Sequence, residues 1–198
     1  MIVVSPKPSE LANEMANGLK CEMAKIDSKI FPDGELYFRI SQEISGEEVL
    51  IVGNTGKEFN RNIIEAMLLV DAVKRSGGKN IVLFMPYLPY SRQDRVFKPG
   101  EPLSAKVIAN IISKLPIELF MTVNAHKDNI MEFFDVNAIS LSASPLFGRY
   151  LRKIGKKPVI VAPDQGASKL AQDCANEIGA NTVIMSKKRY DPYNVSIE

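Results

Sequence analysis

Short apolar runs alternate with longer amphipathic stretches along the whole chain. The runs are "MIVV" (1–4), "VLIVGN" (49–54), "NIVLFMPY" (80–87), "ELFMTVNAH" (118–126), "PVIVAPD" (158–164) and "TVIMSKKR" (182–189). They are rich in Val, Ile and Phe and apolar throughout, the pattern of strands covered on both faces of a sheet. Between them the spacing predicts helices. In "PSELANEMANGL" Leu11, Met15 and Leu19 form one stripe, with Pro8 near the first turn. "EFNRNIIEAMLLVDAVKRSGG" carries Ile63, Ile64, Met67, Leu68 and Val73, then basic residues and a Gly-Gly stop. "LSAKVIANIISKL" stacks Val107, Ile108, Ile111, Ile112 and Leu115, and "SPLFGRYLRKIG" and "ASKLAQDCANEIG" each close on glycine. Such alternation implies right-handed βαβ units and a parallel α/β sheet. One segment departs from it. "KIFPDGELYFRI" has a Pro-Asp-Gly turn followed by alternating Leu36, Phe38 and Ile40, and reads as a hairpin-like excursion. Strand–helix units restart around "SLSASPLF", which divides the chain into domains at 1–143 and 144–198.

Composition narrows the class. The 198 residues are 45% hydrophobic and 24% charged, enough to bury a core. With 25 basic and 23 acidic residues the net charge is only +2, so any cationic function is local, and a nucleic-acid role is disfavoured. Cys21 and Cys174 stand far apart in no metal-type spacing and read as reduced thiols. "MIVVSPKPSE" reads as a first strand, not a signal peptide. No stretch approaches the roughly 20 apolar residues that span a bilayer. The expectation is a cytoplasmic protein with no membrane role.

The candidate chemistry sits at strand ends, where open α/β sheets bind ligands. Run 80–87 leads into Arg92, Gln93, Asp94 and Arg95; run 118–126 ends at Asn124 and His126, the only histidine. Run 158–164 ends at Asp164 before "QGASK", and run 182–189 in Lys187, Lys188 and Arg189. Arginine forks, lysine point charges and O/N donors are what a polyphosphate with a divalent cation requires. Duller uses compete: Asp164 could cap the helix that follows it, and Asp94 could neutralise its own arginines. No G-x-x-x-x-G-K-[ST] loop or G-x-G-x-x-G fingerprint is present. Neither is a nucleophile elbow, so covalent catalysis is not expected.

"FPDGELYFRI", "PYLPYSRQDRVFKPGEPLSAKVIANII", "VNAHKDNIMEFFDV", "APDQGASKLA" and "MSKKR" resemble, in order and spacing, the ribose-phosphate pyrophosphokinase family, with an archaeal cast in "FPDGE" and "AHKDN". The resemblance implies two phosphoribosyltransferase-like α/β domains in tandem with parallel sheets, the second one incomplete here. It implies transfer of the pyrophosphoryl group of ATP to the anomeric hydroxyl of ribose 5-phosphate, giving phosphoribosyl pyrophosphate and AMP, with Mg2+ as cofactor. By motif, Phe31, Asp33, Gly34 and Glu35 would hold the adenine, reaching across from a neighbouring copy in a homo-oligomer. Arg92 and Gln93 would meet the ATP, and His126 and Asp164 the metal. Asp164 and Arg189 would serve ribose 5-phosphate, and Lys187 and Arg189 would be catalytic.

Two departures stand out. Bacterial and animal members usually have Asp where this chain has Asn124, and a neutral amide is a weaker ligand for a hard cation than a carboxylate. The acidic D-D-x-x-D-T-x-G-T loop of the family is absent from these 198 residues. The expectation is a fragment of a longer protein. The alternative is a non-catalytic nucleotide-binding or regulatory homologue, and a phosphoribosyltransferase is a weaker third reading.

Overall fold

Hydrophobic runs only three to six residues long build the main sheet of this protein, whose computed structural model describes residues 1–155, 158–189 and 195–197, the last three and 187–189 as backbone only. The chain divides into two units, Met1–Leu141 and Ser142–Glu198. Among the described residues no helix is long and apolar enough to cross a membrane.

The first unit runs β1 (Ile2–Val4), α1 (Glu10–Leu19), β2 (Glu22–Met23), β3 (Ile26–Ile30), β4 (Leu36–Ile40), β5 (Glu48–Val52), α2 (Phe59–Arg75), β6 (Lys79–Phe84), α3 (Ser104–Ser113), β7 (Leu119–Val123), a 3-10 helix (Asp128–Phe133) and β8 (Asn137–Leu141). Six strands pair in parallel in the order β2-β1-β5-β6-β7-β8. The strand period of two divides their side chains between two cores. Ile2, Val4, Val49, Ile51, Ile81, Leu83 and Phe120 face one side, with α2 and α3. Val3, Leu50, Val52 and Phe84 face the other, with α1. The chain therefore leaves β1 in one direction through α1 and grows from β5 in the other through α2 and α3, a doubly wound arrangement with its switch between β1 and β5.

The helices sit where the pattern predicts, but their buried stripes differ. In α1 the buried residues are Ala12 and Ala16, whereas Leu11 and Leu19 are exposed. Small side chains let the helix approach the sheet closely, which the larger neighbouring residues would prevent. Ser9, not Pro8, starts the helix: its Oγ accepts from the Ala12 N–H at 3.1 Å. In α2 the core stripe is Ile63, Ala66, Leu69, Val70 and Val73, leaving Ile64 and Leu68 outside. In α3 it is Ala105, Ala109 and Ile112, with Val107 and Ile111 outside.

The predicted hairpin is present. β3 and β4 pair antiparallel from Ile26↔Ile40 to Ile30↔Leu36, and Ile26, Phe38 and Ile40 pack against the core beside α2. Its tip is closed by Gly34, whose φ of +93° lies in the left-handed region open to glycine.

The second unit contains α4 (Ser144–Lys153), β9 (Ile160–Ala162), a 3-10 turn (Gln165–Ala167), α5 (Ser168–Ile178), β10 (Thr182–Ile184), β11 (Lys187–Arg189) and β12 (Val195–Ile197). β9 and β10 are parallel, and α4 packs on α5 so tightly that a Cβ on Gly148 would meet the Glu177 Cβ at 2.4 Å. The run 182–189 is not one strand. It breaks after Ile184, and β11 pairs antiparallel with β12 in a separate ribbon. The hydrophobic pattern also gave no sign of the two-residue edge strand β2, the 3-10 helix, β12, or β8, whose "NAISL" is too polar at its edge position to read as buried.

Candidate functional site

The cationic segment "PYLPYSRQDR" begins where β6 ends. Met85 continues the sheet, its N–H donating to the Met121 carbonyl at 2.9 Å, and Leu88 is buried beneath the loop. Tyr90 then takes a left-handed conformation, φ +63°, which is costly for a bulky residue and holds only when its surroundings impose it. Here the surroundings do. The Tyr90 hydroxyl donates to Asn60 Oδ1 on α2, and the Tyr87 ring tilts against Phe59 at 5.0 Å between centroids.

Three further contacts tie the loop down. The Ser104 hydroxyl donates to Gln93 Oε1, and the Ala105 N–H donates to the Gln93 carbonyl at 3.1 Å, so Gln93 closes the start of α3. The Lys127 ammonium, beyond the end of β7, donates to Asp94 Oδ2. Glu101 Oε2 accepts from the Phe97 and Lys98 N–H groups at 2.9 and 3.0 Å, folding the distal turn on itself. Asp94 therefore does not neutralise its neighbouring arginines. Its side chain is 5% exposed and paired with Lys127, whose ammonium holds the carboxyl below its ordinary value against the opposing effect of burial. Arg95 lies over the Phe97 ring, 4.9 Å from its centroid. Arg92 is exposed and, among the described residues, has no ion pair.

His126 leaves the carboxyl end of the neighbouring strand. The backbone turns at Asn124, φ +46°, a left-handed position that Asn tolerates better than most residues. The Asn124 N–H donates to the Leu141 carbonyl at 2.8 Å and the Ala125 N–H to Ser140 Oγ at 2.9 Å, so β8 fixes the turn. Asn124 thus has a backbone role that the sequence comparison did not foresee. His126 is exposed, and the Lys127–Asp94 bond ties its loop to that of Arg92.

The hairpin tip is built differently. Phe31, Asp33, Gly34 and Glu35 are all exposed. The Phe31 N–H donates to the Glu35 carbonyl at 2.8 Å, the Gly34 N–H to the Phe31 carbonyl at 2.9 Å, and the Glu35 N–H to Asp33 Oδ1 at 3.1 Å. The Lys29 ammonium stands 4.5 Å from the Phe31 ring centroid and 5.1 Å from that of Tyr37.

In the second unit Asp164 does cap: its Oδ1 accepts from the Ala167 N–H at 3.2 Å, opening the turn that leads into α5. The backbone of Lys187 and Arg189 lies in β11, and their side chains fall outside the described residues. Among the described residues no three His, Cys, Asp or Glu side chains gather as a metal cage. His126 and Asp164 belong to different units.

Sequence reasoning singled out Arg92, Gln93 and His126 as candidates and gave no sign of Asn60, Ser104 and Lys127 as partners of their loops. No spacing signal marks them, because the partners lie 30, 11 and 33 residues away from the residues they hold.

The family described as the N-terminal domain of ribose phosphate pyrophosphokinase matches residues 1–115. The chain is similar to the ribose-phosphate pyrophosphokinase of Methanobrevibacter smithii, 35% identical over 196 residues, which cover 98% of this chain and 65% of that protein. It is similar to the Aquifex aeolicus protein of the same name, 34% identical over 99% of this chain and 64% of the relative. The chain thus spans just under two thirds of the length of these curated relatives. Phosphoribosylpyrophosphate synthetase from Mycobacterium smegmatis shares the fold, with a TM-score of 0.84 at 24% identity over 100% of this chain and 66% of that one.

Proposed function

The chain belongs to the ribose-phosphate pyrophosphokinase family, and from that premise we propose that it binds ATP with magnesium and transfers its pyrophosphoryl group to ribose 5-phosphate. The observation that carries the reading is Arg92. It is a guanidinium with no ion pair among the described residues, on a loop braced by α2, α3 and the end of β7, beyond the carboxyl end of a central parallel strand.

In this reaction the anomeric oxygen attacks the β-phosphorus in line. The bond from β-phosphorus to the oxygen of the α-phosphoryl group breaks, AMP departs, and the hydroxyl proton passes to solvent. Such transfers depend on positioning and charge neutralisation more than on covalent help from the protein. Arg92 meets phosphoryl oxygens with a fork that needs no reorganisation, because its loop is already held. Gln93 has its carbonyl oxygen engaged by Ser104, which assigns its amide N–H groups to the nucleotide. His126 and Asp164 are the groups proposed to hold magnesium, which would supply charge neutralisation to the phosphoryl oxygens when bound with the nucleotide. Lys187 and Arg189 are assigned to the charge growing on the transferred group and on AMP, and Asp164 and Arg189 to ribose 5-phosphate. Phe31 supplies a stacking face, and Asp33 and Glu35 accept from the adenine amine, on a tip offered to a neighbouring copy of the chain. The proposed site of action is the cytoplasm.

The test follows AMP formation from ATP in the presence and absence of ribose 5-phosphate and magnesium. AMP that requires all three supports the proposal. Nucleotide binding without turnover in a full-length protein carrying this sequence would replace it with a non-catalytic role.

A further inference from the structure

We propose that Asp94 and Lys127 form a positioning pair that clips the Arg92 loop to the His126 loop and keeps the buried carboxylate from neutralising Arg92. The inference rests on the nucleotide reading above and adds two residues to it.

In "SRQDR" the nearest cations to Asp94 are its own neighbours, and the simplest electrostatic outcome is an internal pair. The structure has another. Asp94, with a side chain 5% exposed, is bonded to Lys127, 33 residues further on, at the end of the next strand. Arg95 is turned onto the Phe97 ring, and Arg92 is left without an acidic partner among the described residues. A carboxylate this buried does not remain ionised alone, because its lost hydration must be replaced by a partner. Without Lys127 it would draw in Arg92 or Arg95, and an Arg92 spent on Asp94 no longer serves a phosphate. The same bond joins the ends of β6 and β7, the two strands whose loops carry Arg92 and His126. Lys127 is itself 46% exposed, so a direct contact with phosphate is the competing use of its ammonium.

Affinity for MgATP, measured by calorimetry, separates these uses. Lys127→Met is expected to weaken binding at least fivefold, and Lys127→Arg to restore it to within twofold. Asp94→Asn removes a negative charge near an anion site, so electrostatics alone would tighten binding; a positioning role weakens it at least threefold. The double variant should bind no more weakly than the weaker single one, and in an Arg92→Ala background Lys127→Met should lose most of its effect. Unchanged or tighter binding in Asp94→Asn, or effects that simply add, would overturn the proposal.

Amide hydrogen exchange of the ligand-free chain gives a second reading. Lys127→Met should speed exchange at residues 91–95, and Asp94→Asn at residues 124–128, with β5 unaffected. If each loop ignores loss of the other's partner, the clip does not exist. Lys127→Gln replaces Lys127→Met should the latter fail to fold. Wild-type protein that does not bind MgATP defeats the nucleotide reading alone, and the exchange result then decides the clip.

Discussion

The loop after β6 and the β3–β4 hairpin carry the two best-defined groups of candidate residues, yet they are held in opposite ways. The loop is fixed by side chains distant in sequence: Asn60 on α2, Ser104 on α3 and Lys127 past β7. The hairpin rests its inner face, Phe38 and Ile40, on the core, and its tip is closed by bonds among Phe31, Asp33, Gly34 and Glu35, with Lys29 of the same hairpin over the Phe31 ring. One region is organised by the body of the protein, the other within its own hairpin. A braced loop suits a group that must meet phosphate at a set distance. A self-closed tip standing clear of its own core suits residues that complete a surface elsewhere, which is the assignment proposed for Phe31.

The comparison breaks most sharply at Arg92. Arg92→Ala should weaken MgATP binding by about 10- to 100-fold, the loss of roughly 1.5–3 kcal/mol carried by hydrogen bonds to a charged group. Its melting temperature should stay that of the wild type, since the guanidinium has no intramolecular ion pair among the described residues; a large fall in melting temperature would make it structural instead. Phe31→Ala should cost about 1 kcal/mol of nucleotide affinity through lost stacking, with no change in melting. If the tip serves a neighbouring copy, mixing Phe31→Ala with Arg92→Ala protein should form AMP faster than the average of the two variants assayed alone; a rate equal to that average would return Phe31 to its own chain.

Gly34→Ala tests the local closure of the tip. At φ +93° an alanine costs about 1 kcal/mol, a melting shift of roughly 2–4 °C in a chain of this size, while hydrogen exchange in the loop after β6 stays unchanged. The smallest effect expected is in pH. The Asp94 carboxyl is held below its ordinary value of 3.8, chiefly by the Lys127 hydrogen bond, so its folded form binds its proton less readily than the unfolded chain does. Its stabilisation is therefore complete above that ordinary value and disappears as the pH falls through the depressed one. The melting difference between wild type and Asp94→Asn should be constant from pH 5 to 7 and shrink progressively on acidification below the ordinary carboxylate value. A difference that persists there would mean that the carboxyl stabilises without its charge.

Much of this was legible in the order of residues, and the failures are instructive. Strand runs and helix stretches came through because period and composition respond to burial on one or two faces. In α1 only Met15 of the Leu11–Met15–Leu19 stripe packs on the core, because periodicity cannot tell which of two neighbouring stripes is pressed on the sheet, and here Ala12 and Ala16 are. The run 182–189 was read as one strand because apolar and basic residues both extend well, while the break at 185–186 follows from pairing with β12. Asp94 looked self-neutralised because its nearest charges in sequence are not its nearest in space.

By itself the sequence determined the parallel α/β class, the hairpin with its Pro-Asp-Gly tip, and the placing of Arg92, His126 and Asp164 at strand ends, because each depends on residue type over a few neighbouring positions. Only the tertiary structure decided which cation Asp94 takes, what holds Tyr90 in a left-handed turn, and that Arg92 has no ion pair among the described residues. Those outcomes turn on contacts between residues 30 or more apart, which packing of the sheet brings together and no local pattern records.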